Sequence, residues 1–305
     1  MVKLLNDEHI RIFCDVLNIN GNQIERIYIN PGRSANNKNY VIVANGQSYL
    51  YRVPGPGTEK FCNREREALA YKMLAPLKIT DEVIFIDKKT GVKISKYYEG
   101  SRIPDQNNKA ELAASMQVLR TLHESDINFG YVDTLFDRME KYYQFALEVG
   151  GEKYYLDGYE NYLMQLRQFK NNIATSNNKI CFTHGDASIN NLLVTKEHSK
   201  PILIDMEFPA MSDPYDDVAT FCIDAEFRTD NILLMLEYYL GRKPTLEEQY
   251  HILGLCAVAG MMWYSWATYK SAVEEDKKLF LDFRDAYHQY INEVYSDAQR
   301  IYMKL

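Results

Sequence analysis

Hydrophobic and polar positions along this chain change their period once, near residue 100. Before it, short apolar runs alternate with turn signals. Beyond it, apolar positions recur at helical spacing almost to the C-terminus. Asn6 is placed to cap an amphipathic helix reaching about residue 17. Strand-like runs follow at 24–29, 40–44 and 49–53, the last two joined by Asn45 and Gly46, a strong hairpin signal. A helix is predicted from Thr58 to about residue 74, with Phe61, Leu69 and Met73 among its apolar positions. Two further runs, 83–86 and 92–98, flank a turn at 87–91. Helices are then predicted at 109–123, 134–149, 155–174, 215–227, 230–240, 246–273 and 278–303, interrupted by a pair of strands within 180–207. There is no internal repeat. Strands first and helices afterwards give an α+β chain, with an N-terminal domain expected over 1–99 and a C-terminal one over 100–305.

The interruption carries the chemistry. Residues 180–208 read ICFTHGDASINNLLVTKEHSKPILIDMEF, two apolar runs that each end in polar side chains. The first supplies His184, Asp186 and Asn191; the second, after a polar turn at 196–201, supplies Asp205 and Glu207. Asp186 precedes Asn191 by five positions, the D-x-x-x-x-N spacing of a kinase catalytic loop. ATP-dependent phosphoryl transfer needs this set: one carboxylate to accept or orient the substrate hydroxyl, and Asn191 with Asp205 to hold Mg²⁺. Singly, each residue is an ordinary turn former. Their combination in this order points to catalysis.

A kinase also needs a cover and a cation for the phosphates. Residues 31–40, PGRSANNKNY, lie where a phosphate-covering loop belongs, with Ser34 and Asn36 as candidate contacts, although Gly32 stands without further glycines. Arg52 sits among apolar neighbours in the third strand-like run. A charge there needs a partner, and the following helix offers Glu67, with Glu65 as the alternative.

Composition narrows the class. The 305 residues are 46% hydrophobic and 25% charged, enough to bury a real core. A net charge of −7 with no basic stripe argues against a nucleic-acid binder and is compatible with a cationic small substrate. Five scattered cysteines without a CxxC pair imply thiols in a reducing cytosol. The N-terminus lacks a signal-peptide core, and the apolar stretch 252–266 is too short for a membrane span. A soluble, cytoplasmic protein without membrane insertion is expected.

Through HGDASINN (184–191), LIDMEF (203–208), DPYDDVATF (213–221), the Asn-rich loop after Gly32, Arg52 and WYSWATYK (263–270), the chain resembles the choline/ethanolamine kinase branch of the aminoglycoside-phosphotransferase-like kinases. That resemblance implies a bilobal protein-kinase-like fold, with ATP bound near a hinge at 97–100, hence Tyr97, Tyr98 and Glu99. It implies Asp186 as catalytic base, Asn191 and Asp205 as Mg²⁺ ligands with Glu207 beside them, and Arg52 as a phosphate contact. Met206 departs from the aromatic many relatives carry, and position 52 is Arg rather than the lysine of protein kinases.

The resemblance also gives meaning to Trp263 and Trp266, the two tryptophans of the chain. Three positions apart on one predicted helix, they share a face. Aromatic faces recognise quaternary ammonium groups by cation–π attraction of about 0.5–2 kcal/mol per ring. Tyr269 is a candidate third wall, and Asp224 or Glu226 a candidate counter-ion. Asp217 is expected to brace the catalytic loop. The expected reaction transfers the γ-phosphate of ATP to choline. Ethanolamine, an aminoglycoside or another small hydroxylated acceptor is the alternative, and an inactive binding module the alternative of another class.

Overall fold

The computed structural model describes residues 4–30, 37–55, 58–156, 158–173 and 180–305. They form two compact units, Met1–Ile103 with Leu193–Pro209, and Pro104–Leu192 with Ala210–Leu305. The chain leaves the first unit close to the expected boundary. It then returns to it, which differs from the expected single C-terminal stretch over 100–305. Backbone pairing is the reason. Leu203 N donates to Ile79 O at 2.7 Å, Asp81 N donates to Leu203 O at 3.0 Å, and Arg102 and Val194 exchange bonds of 3.2 and 2.8 Å. Asp205 and Glu207 therefore belong with the sheet.

In the first unit, helix α1 (Asp7–Leu17) starts at Asn6, whose side chain accepts from His9 N at 2.9 Å. Strands β1 (Ile24–Ile29), β2 (Asn37–Ala44), β3 (Gln47–Pro54), β4 (Val83–Ile86) and β5 (Lys93–Lys96) form an antiparallel sheet in the order β1-β2-β3-β5-β4. Asn45 and Gly46 take φ values of 51° and 71°, as a two-residue hairpin turn requires. The period of two along β3 sends Tyr49, Tyr51 and Val53 into a core with Leu5, Phe13, Ile42, Val92 and Ile94. Leu50 and Arg52 therefore point to the opposite face, and Arg52 lies on the central strand rather than an edge.

The helix expected from Thr58 begins later. Thr58–Lys60 makes a single tight turn, and α2 proper spans Arg64–Leu74, capped by Asn63 through Arg66 N at 3.0 Å. Its buried face is Arg64, Glu67, Ala68, Ala70, Tyr71 and Leu74, while Leu69 is exposed. The inward face carries charge, so an apolar stripe was the wrong guide to it.

The second unit contains α3 (Lys109–His123), α4 (Leu135–Glu148), α5 (Tyr159–Ile173), α6 (Pro214–Asp224), α7 (Thr229–Leu240), α8 (Leu246–Val273) and α9 (Lys277–Tyr302). Strand β6 (Cys181–Thr183) pairs antiparallel with β7 (Ala210–Ser212), not with the apolar run ending at Asp205. Helix α8 is buried nearly all round, packed by α4, α6 and α9. Gly254 within it admits the ring of Phe169: a Cβ there would lie 2.1 Å from Phe169 Cζ. Among the described residues no helix is long and apolar enough to cross a membrane.

Candidate active site

Arg52 organises the functional end of the first unit. Its guanidinium grips Glu67 bidentately, Nη1 to Oε1 at 2.6 Å and Nη2 to Oε2 at 2.8 Å, and donates to Gly91 O at 3.0 Å. Glu67 is thus the partner, and Glu65 lies exposed. Nη1 also meets Asp205 Oδ1 at 3.0 Å and Glu207 Oε1 at 3.2 Å. A second arginine completes the cluster. Arg64 Nη1 reaches Glu67 Oε2 at 3.0 Å and Glu207 Oε1 at 2.6 Å, and its Nη2 donates to Thr58 Oγ1 at 3.0 Å. Burial pulls the Arg52 guanidinium down, and Glu67, Asp205 and Glu207 more than reverse this, so it stays charged. Burial pushes the Glu207 carboxyl up, helped by the Asp205 charge and opposed by both arginines.

Two cations thus face three carboxylates, a local net charge of −1. One oxygen from each of Glu67, Asp205 and Glu207 lies within 4.8 Å of the others. The Glu67 and Glu207 side chains are 0% and 4% exposed and tied to arginines, whereas the Asp205 side chain is 32% exposed. Hard carboxylate oxygens beside excess negative charge suit Mg²⁺, and Asp205 is the member open to one. Asp205 also adopts φ 63°, a left-handed conformation that a non-glycine residue holds at a cost of about 1–3 kcal/mol and that clusters at functional sites.

In the second unit, the loop after β6 is held from below. Asp217, on α6 and wholly buried, accepts from His184 N at 2.7 Å, Gly185 N at 2.9 Å and His123 Nε2 at 2.9 Å. Burial raises its carboxyl, yet the bond from His123 and the charges of His123 and His184 leave it below the usual range. Gly185 has φ 80°, a turn that presents Asp186. Asn191 Nδ2 donates to Asp186 O at 2.9 Å and to Asp186 Oδ2 at 3.1 Å. Its amide nitrogen is committed to Asp186, and Oδ1 is the atom that suits a cation. Ser188 Oγ and Asn190 Nδ2 both donate to Asp224 at 2.7 Å, so Asp224 is tied to the same loop.

The tryptophan pair lies half-buried on the mostly buried α8, as do Tyr269 and Lys270. The two rings are perpendicular, at 89° with centroids 5.6 Å apart, and Phe280 of α9 packs on Trp266 at 5.6 Å and 76°. Lys270 already places its ammonium 6.0 Å from the Trp266 ring centroid. Tyr264 points away, buried in a stack with Tyr155 and Tyr159.

With this geometry in hand, comparison with known proteins is decisive at the level of family. A model of choline/ethanolamine kinases matches residues 33–252. This chain belongs to the choline/ethanolamine kinase family. It is a kinase, a phosphotransferase acting on the alcohol group of a small molecule. It is similar to protein LicA of Haemophilus influenzae, 25% identical over a 263-residue alignment that covers 81% of this chain and 93% of that one. It shares its fold with the choline kinase LicA from Streptococcus pneumoniae (TM-score 0.76, 20% identity, covering 94% of this chain and 98% of that one). The Plasmodium vivax ethanolamine kinase shares it too (TM-score 0.72, 17% identity, 95% and 89%).

The nominated residues are distributed as follows. Arg52, Glu67, Asp205 and Glu207 converge in the first unit. Asp186, Asn191 and Asp224 converge in the second. Ser34 and Asn36 lie outside the described residues. Tyr97 is half-buried with its N–H on Ser48 O at 3.1 Å, and Glu99 is exposed, accepting from Ser48 Oγ at 2.9 Å. Tyr98 is buried, its hydroxyl accepting from Glu82 N at 3.3 Å. Tyr269 packs against Phe145, with ring centroids 6.3 Å apart. Glu226 is exposed at φ 54°. Sequence reasoning missed Arg64, whose spacing three before Glu67 was a usable signal. It also missed Tyr287, whose phenol burial pushes well up, aided by the charges of Asp224, Glu226 and Asp186.

Asp216, beside Asp217, is a buried carboxyl of another kind. It accepts from Leu135 N at 2.9 Å and from Ser212 Oγ. Burial, then the Asp213 charge, push it from 3.8 to about 7 against the opposing pull of Arg138. A raised carboxyl means that the folded state binds the extra proton, so stability falls as pH rises from about 4 to about 7. The full width corresponds to up to about 4 kcal/mol. Denaturation at pH 5 and pH 8 should show more than half of this loss, and Asp216→Asn should flatten it. An equal slope in the variant would remove Asp216 as its source.

Proposed function

We propose that this kinase uses Mg·ATP to phosphorylate choline. The observation that carries the choice is the perpendicular Trp263–Trp266 pair, half-buried on a mostly buried helix, with Phe280 beside it. Two indole faces at right angles offer a methylated cation the negative sides of two quadrupoles, without the hydrogen-bond acceptors a primary ammonium would demand. Asp224 supplies the counter-charge, with Tyr287 among the same acids. Asp186 accepts or orients the hydroxyl proton. Asn191 and Asp205 are the Mg²⁺ ligands, with Glu207 in the first unit's acid cluster behind Asp205. When bound, Mg²⁺ neutralises charge developing on the phosphates. Arg52 keeps the Asp205 carboxylate turned to that work. An aminoglycoside, a polycation, calls for several acids rather than an indole pair. Ethanolamine is the nearer competitor.

Trp263→Leu and Trp266→Leu test the cage. Leucine keeps burial and removes the quadrupole, so KM for choline should rise about tenfold per ring, as about 1.4 kcal/mol implies, with KM for ATP unchanged. Lost thermal stability with an unchanged choline KM would instead make the pair core packing.

A further inference from the structure

Asp205 is pinned from three sides, and one of them was unforeseen. Arg52 holds its carboxylate, and its C=O accepts from Glu207 N at 2.7 Å. Its own N–H donates to the hydroxyl of Tyr71 at 3.1 Å, and Met206 N approaches the same oxygen at 3.4 Å. Tyr71 stands on α2, one turn after Glu67, and is 5% exposed. Its hydroxyl is fixed in turn by Lys93 on β5, whose Nζ donates to it at 2.7 Å and lies 4.6 Å from the ring centroid. Lys93 pairs with Asp81 at 3.2 Å, and both are buried, at 3% and 6% exposure. Asp81 N donates to Leu203 O at 3.0 Å, anchoring the set to the segment that carries Asp205.

A buried ammonium, carboxylate and phenol are poor stabilisers compared with apolar packing of equal volume. What they provide here is an acceptor that two successive N–H groups can reach. A left-handed turn at a non-glycine residue persists only where its surroundings over-determine it, and Asp205 at φ 63° is such a residue. We propose that Tyr71, held by Lys93 and Asp81, is the positioning residue that keeps Asp205 in this conformation and its carboxylate turned outward as a cation ligand. This rests on reading Asp205 as a ligand of Mg²⁺.

Tyr71→Phe keeps the ring and its volume and deletes the acceptor. Calorimetry with ATP should show affinity about tenfold weaker in Mg²⁺ and unchanged in EDTA. Amide exchange over 203–208 should be faster in the metal-free protein, with the rest of the sheet unaltered. Asp205→Ala is titrated alongside. If Asp205→Ala loses the Mg²⁺-dependent affinity while Tyr71→Phe keeps it and exchanges as wild type, the positioning role is overturned and the ligand reading stands. If Asp205→Ala itself binds Mg·ATP normally, the ligand reading fails and the inference falls with it. Should Tyr71→Phe not fold, Lys93→Met combined with Asp81→Asn removes the ion pair without stranding a charge. The same weakening and faster exchange are expected of it, and their absence would equally overturn the proposal.

Discussion

Asp186→Asn is expected to lower kcat by about 10³-fold or more while leaving ATP affinity nearly unchanged. The side chain sits after the left-handed Gly185 and meets Asn191 Nδ2 at 3.1 Å, so an isosteric amide fits the same space. In the proposed role it loses the charge that would draw the hydroxyl proton, a loss felt in the transition state rather than in nucleotide binding. Removing a base of this kind typically costs 10²–10⁴-fold. The loop at 184–191 keeps its support, because Asp217 takes its hydrogen bonds from His184, Gly185 and His123 rather than from Asp186. Steady-state kinetics beside nucleotide titration decide the matter. A variant that keeps most of its kcat would take the role away from Asp186.

The second large effect is expected at Arg52. Its guanidinium is 3% exposed and engages Glu67, Asp205 and Glu207 at 2.6, 3.0 and 3.2 Å. Arg52→Met keeps much of the bulk but leaves Glu67 and Glu207 to Arg64, with Asn37 Nδ2 and Cys62 Sγ still donating to Glu207 at 3.2 and 3.5 Å. Breaking a buried ion network on one side costs about 3–5 kcal/mol, since the stranded charges pay their full desolvation. Urea denaturation should show a loss of that order, together with a fall in kcat as Asp205 loses its anchor. Arg52→Lys should recover only part of it, because an ammonium cannot reproduce the bidentate grip. A loss below about 1 kcal/mol would mean that Arg64 and solvent carry the acids without it.

How far these features were legible in the sequence depended on whether a residue broke its local pattern. Arg52 stood out as a charge among apolar neighbours, and Glu67 followed as the acid a helix could bring to it. Lys93, between Val92 and Ile94, broke the pattern in the same way and was passed over, and with it Asp81 and Tyr71. Helix α2 misled because its inward face holds Arg64, Glu67 and Tyr71, so a search for apolar positions led to Leu69 on the outside. The return of 193–209 to the sheet was invisible, since contacts as brief as Thr80 with Leu203 leave no periodicity. The hydrogen-bonded loop at 184–191 was legible because its residues are adjacent in the chain. Tyr287, one of 24 tyrosines, feels the charges of Asp224, Glu226 and Asp186 through its place on α9, which no local pattern marks.

The most direct test of the account is the specificity of the unmodified enzyme toward choline, N,N-dimethylethanolamine and ethanolamine, with phosphoryl transfer from ATP followed by a coupled assay. Each methyl removed exposes an N–H that the two indole faces cannot satisfy and strengthens the hydration lost on entry. With the indole pair as the cation site, kcat/KM falls stepwise from choline to ethanolamine, with KM for ATP constant across the series. A flat or reversed order would leave phosphoryl transfer standing and contradict choline as the substrate.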